Sequence, residues 1–583
     1  MQLATLDWIF IVAFFAIFLL IGILVAKRSG KDTKEFFLSG QNMPWWLLGI
    51  SMVATTFSAD TPNLVTDIVR QNGVSGNWVW WAFLITGMLT VFVYAKLWRR
   101  SKVLTDLQFY ELRYSGKEAA FLRGFRALYL GVFFNVMIMA AVCLAAIKIG
   151  GILFDLKPWE SVVYASVITV AYSSIGGLRG VIFTDFLQFI VAMVGSIWAA
   201  VYIINMPEIG GLDNLLTHSN VADKLSFLPD FNDTNSLWVL LIIPIAVQWW
   251  SVWYPGAEPG GGGYIAQRML SAKDEKNAIG ATLLFNIAHY ALRPWPWIII
   301  ALASLVLYPE LSDIASQFPN ATLGHDLGYP AMLTHLPAGL LGLVVTSLIA
   351  AFMSTISTHL NWGSSYISLD FYKRFVNKNA SEKRLVSVGR LSTVVLMVLS
   401  ALLALQFESA LDTFNILLQI GAGTGLIFIL RWFWWRINAY SEITGMVVSF
   451  VVALVFEFTE LGLADHEKLV YGVLITTIAW LLVTLITRPT QTSTLTKFYN
   501  SVTPYGAGWG PFKKMAQQEN IELNTTKDNS TADLASMLLG ILFVYTSLFA
   551  TGYLIYGNML GFAILAGIAI ISALIIFRIW KRK

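Results

Sequence analysis

Long apolar runs constrain this chain more than any other feature. About fifteen occur, most of roughly 18 to 25 residues, the length that crosses a hydrocarbon core as a helix. They fall at roughly 6–26, 44–69, 78–98, 127–152, 161–176, 184–205, 237–256, 279–307, 337–361, 390–407, 413–435, 442–460, 468–487, 535–554 and 560–579. A water-soluble fold cannot cover so much apolar surface. Only 13% of the residues are charged, against roughly 25% in soluble domains. Trp, Tyr and Phe gather near run ends, where amphipathic rings favour the interface. The chain is expected to be an all-α polytopic protein of the lipid bilayer with about fifteen spans.

Basic residues set the orientation. Lys27, Arg28, Lys31 and Lys34 follow the first run, and no small-residue cleavage site does, so the run reads as a retained helix with its N-terminus outside. An odd number of spans then places Arg578, Lys581, Arg582 and Lys583 inside. Of the 39 Lys and Arg, Arg70, Lys148, Lys157, Lys224 and Lys468 fall outside and Arg293 lies within a span; the rest face inside. That is the positive-inside bias of a protein of the cell membrane, plasma or inner, with a cytoplasmic C-terminus.

Several function classes drop out. The single cysteine, Cys143, allows neither an intrachain disulfide nor a cysteine metal site. His218, His289, His325, His335, His359 and His466 show no ligand spacing, and no Ser/His/Asp or phosphate-loop pattern occurs, so no enzyme is expected. Nothing points to nucleic acid. The segments at roughly 206–236 and 488–534 are too short and polar to make a catalytic domain, and Asn520 to Asp533 is expected to be mobile.

Two spans are interrupted. One reads Ala54-Thr55-Thr56-Phe57-Ser58-Ala59-Asp60-Thr61-Pro62-Asn63. The other reads Trp253-Tyr254-Pro255-Gly256-Ala257-Glu258-Pro259, followed by Gly260 to Gly263. Such breaks leave backbone groups unpaired and are tolerated where the backbone lines a cavity. Paired breaks at matching places in two five-helix units are the pattern of an inverted-repeat transporter. Two unrelated kinks, one of them a Gly-rich inner loop, are the plainer alternative. Pro62 has no N–H for the Ser58 carbonyl and should free the local backbone.

A hard cation needs oxygens. In Ala351-Phe352-Met353-Ser354-Thr355-Ile356-Ser357-Thr358 the residues Ala351, Ser354 and Thr355 share one helix face. Membrane Ser and Thr also bond back to their own helix or allow close packing, so the hydroxyls alone leave both readings open.

Three stretches resemble the sodium:solute symporter family, over about residues 5 to 440. Tyr172-Ser173-Ser174-Ile175-Gly176-Gly177-Leu178-Arg179-Gly180-Val181-Ile182-Phe183-Thr184-Asp185-Phe186-Leu187-Gln188 is similar to its Gly-Gly-Leu…Thr-Asp…Gln signature. Tyr264-Ile265-Ala266-Gln267-Arg268-Met269-Leu270-Ser271-Ala272-Lys273 resembles its Gln-Arg-x-Leu-x-Ala-Lys loop. Ala351 to Thr355, with Leu369-Asp370-Phe371-Tyr372-Lys373, resembles its sodium-binding helix and the Asp-x-Tyr-Lys beyond.

The resemblance implies an inverted five-helix-repeat, leucine-transporter-like core with an extra N-terminal helix and additional C-terminal helices. The parts would be roughly 1–43 (extra helix and inner loop), 44–205 (first repeat), 206–236 (outer loop), 237–435 (second repeat), 436–487 (additional helices), 488–534 (inner polar segment) and 535–583 (C-terminal hairpin). It also implies Na+ as coupling ion, without organic cofactor, held by the carbonyls of Ala54, Phe57 and Ala351 and the hydroxyls of Ser354 and Thr355. Asp185 matches a family aspartate on the sodium exit path at the inner gate; Thr184-Asp185 equally reads as a helix N-cap after the glycines.

The chain departs from the family's sugar carriers, which tells against carrying over a sugar. Asp60-Thr61 stands where those have Glu-Gln, Gly260 to Gly263 where they have Asn or Gln, and Trp78 to Trp98 contains no glutamate. The glycines would either let solute approach the backbone or form the inner hinge. The solute-binding candidates are Asp60, Thr61, Glu258 and Arg293. Arg293 follows His289 by one helical turn, in a span containing Pro294 and Pro296. An intramembrane arginine faces a cavity or a carboxylate. Glu258, Asp60 or an anionic group on the solute would serve, as would a purely structural pair.

The expected activity is sodium-coupled symport of a small organic solute by alternating access. A proton-coupled carrier of the same fold is the near rival. A non-transporting solute sensor is the distant one, since no signalling domain is visible after residue 487.

Overall fold

With the bilayer as solvent, every backbone polar group must find its partner within the chain, and a helix does this locally. The computed structural model describes residues 3–29, 41–103, 105–173, 178–251, 259–319, 321–421, 423–459, 461–525 and 528–581. Among these residues the regular elements are helices, and the β pairing is one bridge, Met43 with Ala272. Each apolar run overlaps, in order, a helix or an interrupted pair of helices. Among the described residues, 10 helices are long and apolar enough to cross a membrane. The number is 11 if Ala410–Gly421 and Gly425–Phe433, bent by 42°, count as one. Trp45–Thr56 and Thr234–Trp250 are shorter because they belong to the interrupted spans.

Burial separates centre from periphery. The most apolar window of Leu340–Val376 is 89% buried, whereas that of Met559–Lys581 is 17% buried. The central helix therefore meets protein all round. Met559–Lys581 turns Ile570, Leu574 and Phe577 outward, where lipid rather than water meets them.

The first break lies where Trp45–Thr56 ends at Phe57, whose backbone is extended (φ −83°, ψ 107°); Asp60–Asn72 resumes after Ala59. Pro62 is in the first turn of the resumed helix, where its missing N–H has no helical partner to disappoint. The Ser58 carbonyl is not left free as expected: it accepts from the Thr61 N–H at 3.2 Å. The unpaired carbonyls come from the helix end instead. Phe57 N–H closes on Val53 O at 2.7 Å, and the carbonyls after Val53 have no helical donor ahead of them.

The second interrupted span comprises Thr234–Trp250 and Gly263–Ser271. Residues 252–258 between them, including the candidate Glu258, lie outside the described residues. Gly260, Gly261 and Gly263 adopt φ of +94°, +78° and +50°, where residues with a Cβ are strained. A Cβ on Gly260 would stand 3.2 Å from the Tyr94 ring, and the Gly260 carbonyl accepts from Trp98 Nε1 at 2.6 Å. These glycines turn the chain against the span Val74–Ser101. The two interrupted spans are also joined: Met43 N–H donates to Ser271 O at 3.3 Å, and Lys273 N–H to Met43 O at 3.2 Å.

The end of the polar stretch before the C-terminal hairpin carries ion pairs to a remote span. Asp528 pairs with Lys96 at 3.2 Å and Arg100 at 2.6 Å, and Asp533 pairs with Lys96 at 2.5 Å. Arg100 also reaches Glu275 at 3.1 Å. Lys96 and Arg100, at the end of the span Val74–Ser101, hold the last part of this segment.

Candidate functional site

Three helices meet at Asp185, which is fully buried. It sits about two turns inside Leu178–Ile204, so it is not that helix's N-cap. Ser354 Oγ, on Leu340–Ser365, donates to Asp185 Oδ1 at 2.7 Å. Ser51 Oγ and Thr55 Oγ1, one turn apart on Trp45–Thr56, donate to Oδ2 at 2.7 and 3.3 Å. Arg268, on Gly263–Ser271, stands 3.8 Å from Oδ2 and donates to Thr55 Oγ1 at 3.1 Å.

Next to this cluster, Thr355 Oγ1 crosses to the first break and donates to the Thr55 carbonyl at 3.3 Å. A hydroxyl has one proton and two lone pairs. With the Ser354 proton on Asp185 and the Thr355 proton on Thr55 O, both oxygens keep lone pairs for a cation. Ala54 and Phe57 are buried at the break. Ala351 is buried within the continuous helix one turn before Thr355; its carbonyl serves that helix and retains a second lone pair.

A cavity of about 80 Å³ opens beside the break. Thr56, Ser58, Asp60 and Thr61 form one wall, His289 and Arg293 another, and Thr355 a third. Trp80, Ile138, Ala141 and Val142 add an apolar side, and Phe414 and Leu417 close it from the helix Ala410–Gly421. The other face of that helix, with Asn415 and Gln419, borders a second cavity of about 190 Å³ that Gln248, Asp465 and His466 also line. The candidates Asp60, Thr61 and Arg293 thus share one cavity, and Thr355 links it to the oxygen cluster. Gly260 to Gly263 are not among its lining residues.

Sequence reasoning missed several members. Thr55 and Ser51 lie in the quoted break or one turn before it, but a helical stripe of hydroxyls does not say which side chain it faces. Arg268 stands inside the Gln267-Arg268 motif, which signals its presence and not its contact. Trp80 carried no signal: it packs edge-on against His289 at 5.8 Å between ring centroids.

Comparisons with known proteins give the family and the fold. A family model described as the sodium:solute symporter family matches residues 36–449. The sodium/glucose cotransporter of Vibrio parahaemolyticus is 24% identical over 491 residues, covering 81% of this chain and 89% of that relative. The sodium/sialic acid symporter of Proteus mirabilis is 26% identical over 476 residues, covering 79% and 90%. A solved structure of the substrate-bound outward-open state of a Na+-coupled sialic acid symporter superposes with a TM-score of 0.63 at 22% identity. It covers 84% of this chain and 100% of that one, a likeness of fold.

Proposed function

The chain belongs to the sodium:solute symporter family, and from that premise we propose how its own residues perform the transport. It is a multi-pass membrane protein that uses the sodium gradient to move a small organic solute. Na+ binds between the first break and the Ser354 helix, on the carbonyls of Ala54, Phe57 and Ala351 and the hydroxyls of Ser354 and Thr355. The solute binds in the adjacent cavity, among Asp60, Thr61 and Arg293. The observation that carries this reading is the double position of Thr355: its side chain lines the cavity while its hydroxyl reaches the Thr55 carbonyl at the break.

Coupling follows from that shared residue. Na+ draws the two helices together and so fixes one wall of the cavity. Ion and solute must then raise each other's affinity by the same factor. Each Na+ moving inward at 100 mV contributes about 2.3 kcal/mol from the potential alone. Asp185 orients Ser354 and, through Arg268, closes the inner side; Na+ leaves inward when that contact parts. The helix Ala410–Gly421, standing between the two cavities, closes the outer side. Rocking of two repeats, roughly 44–205 and 237–435, alternates these closures. The location that fits is the cell membrane, with the N-terminus outside and the C-terminus inside.

The test is uptake of a panel of labelled solutes into proteoliposomes. A sodium gradient should drive accumulation, and choline at fixed pH should abolish it. Equal accumulation in choline under a proton gradient would replace Na+ by H+ as the coupling ion.

A further inference from the structure

Two opposite charges line the cavity without meeting. Arg293 is 2% exposed; its Nη2 lies 3.4 Å from His289 Nε2, and its guanidinium rests on the Trp297 ring at 5.2 Å. Trp297 in turn stacks on Phe57 at the break, at 5.4 Å. The guanidinium is therefore fixed in direction. Yet Arg293 Nε and Nη1 have no hydrogen-bond partner, and no carboxylate among the described residues lies within 4 Å of it. Asp60 Oδ1 likewise has no partner.

The donor count points to what is missing. If Arg293 Nη2 donates to His289 Nε2, the imidazole proton sits on Nδ1, which is also unpartnered. Three buried donors then stand against one unmet carboxylate oxygen, Asp60 Oδ1, and the unpartnered Ser58 hydroxyl, which donates as well as accepts. The ligand that completes the cavity must bring more acceptors than donors, and the planar guanidinium fork matches a carboxylate.

We propose that the solute is a small organic acid whose carboxylate binds Arg293 and which carries a hydroxyl or amino donor within reach of Asp60. This rests on reading the cavity as the solute site. A neutral sugar would supply hydroxyls but leave the guanidinium without a counter-charge in a water-poor interior. A cavity of about 80 Å³ holds several waters and suits a compact acid rather than an oligosaccharide.

The experiment is thermal stability of the purified full chain in sodium and in choline, with lactate, gluconate, L-alanine and L-proline each set beside its primary amide, and with D-glucose. In sodium, at least one acid should stabilise the protein, with its amide at least about tenfold weaker. Arg293→Gln should weaken that acid at least about tenfold, with Arg293→Lys intermediate, while stabilisation by Na+ persists. Asp60→Asn should weaken the amino acids more than the hydroxy acids, and so tells the two donor types apart. Acid and amide binding alike, glucose alone binding, or none of the acids binding while Na+ still stabilises would overturn the inference and leave sodium coupling standing. Loss of the Na+ effect in the unaltered protein would instead overturn the underlying reading. If Arg293→Gln does not fold, the acid–amide comparison on the unaltered protein decides.

Discussion

Ser354 donates its hydroxyl proton to Asp185 at 2.7 Å, joining Leu340–Ser365 to Leu178–Ile204 where both side chains are buried. That bond turns the Ser354 lone pairs toward the break. Asp185→Asn keeps the size of the side chain, removes one acceptor and leaves Arg268 without its counter-charge. The sodium concentration for half-maximal uptake should rise by about tenfold or more, with membrane insertion intact. An unchanged sodium titration would make Asp185 a packing residue only.

Removing the hydroxyls themselves tests the ion site. Thr355→Ala and Ser354→Ala each delete one proposed ligand of a monovalent ion, so each should raise the sodium requirement. The double variant should lose sodium stimulation altogether. Uptake against sodium concentration measures it, and a double variant with the parent's curve would show that Na+ binds elsewhere.

Leu417 faces the central cavity from Ala410–Gly421. Leu417→Trp adds more bulk than a cavity of about 80 Å³ can share with a solute. Solute uptake should fall by at least about tenfold while Na+ still raises the melting temperature. If uptake is unaffected, the solute does not occupy this cavity.

Asp528 lies outside the spans, between Arg100 and Lys96. Burial alone would raise its carboxyl, but the Arg100 hydrogen bond and the Lys96 charge outweigh it and hold it below the usual range. A carboxylate depressed in the folded state contributes stability that is present above the unfolded value of about 3.9 and is lost as pH falls through the folded value. The segment before the C-terminal hairpin should therefore stay docked through neutral and mildly acid pH. At neutral pH, Asp528→Asn should speed hydrogen exchange in Thr492–Val502 without altering sodium dependence. Unchanged exchange there would show that the ion cluster does not hold the segment.

Reporter fusions test the orientation. A reporter fused after Lys583 should be active on the cytoplasmic side and one before Met1 on the outer side. A C-terminal reporter outside would remove an odd number of the proposed crossings.

The helices were legible because an apolar run in a bilayer has few alternatives to helix. The first break was legible too, from Thr55 to Pro62, but the reason given for its unpaired carbonyls was wrong: Thr61 N–H fills the Ser58 carbonyl, and the helix end at Phe57 provides the rest. Arg293 and His289 were legible as a pair because four residues make one helical turn. Arg268 beside Asp185 was not, since nothing local reports a contact between remote spans. The ion pairs of Asp528 and Asp533 were not legible for a related reason: their partners, Lys96 and Arg100, lie on the remote span Val74–Ser101.

The joint between Met43, Ser271 and Lys273 makes no demand on any side chain. It consists of amide and carbonyl groups that every residue but proline offers. Alanine at these positions would keep both backbone bonds, although it would remove the neighbouring bond from Gln41 Nε2 to the Leu270 carbonyl at 3.2 Å if placed at Gln41. Proline at position 43 or 273 would remove a donor and cut the tie. The two interrupted helices are thus coupled at this point through their backbones, so a movement of one is passed to the other whatever side chains stand at Met43 and Lys273.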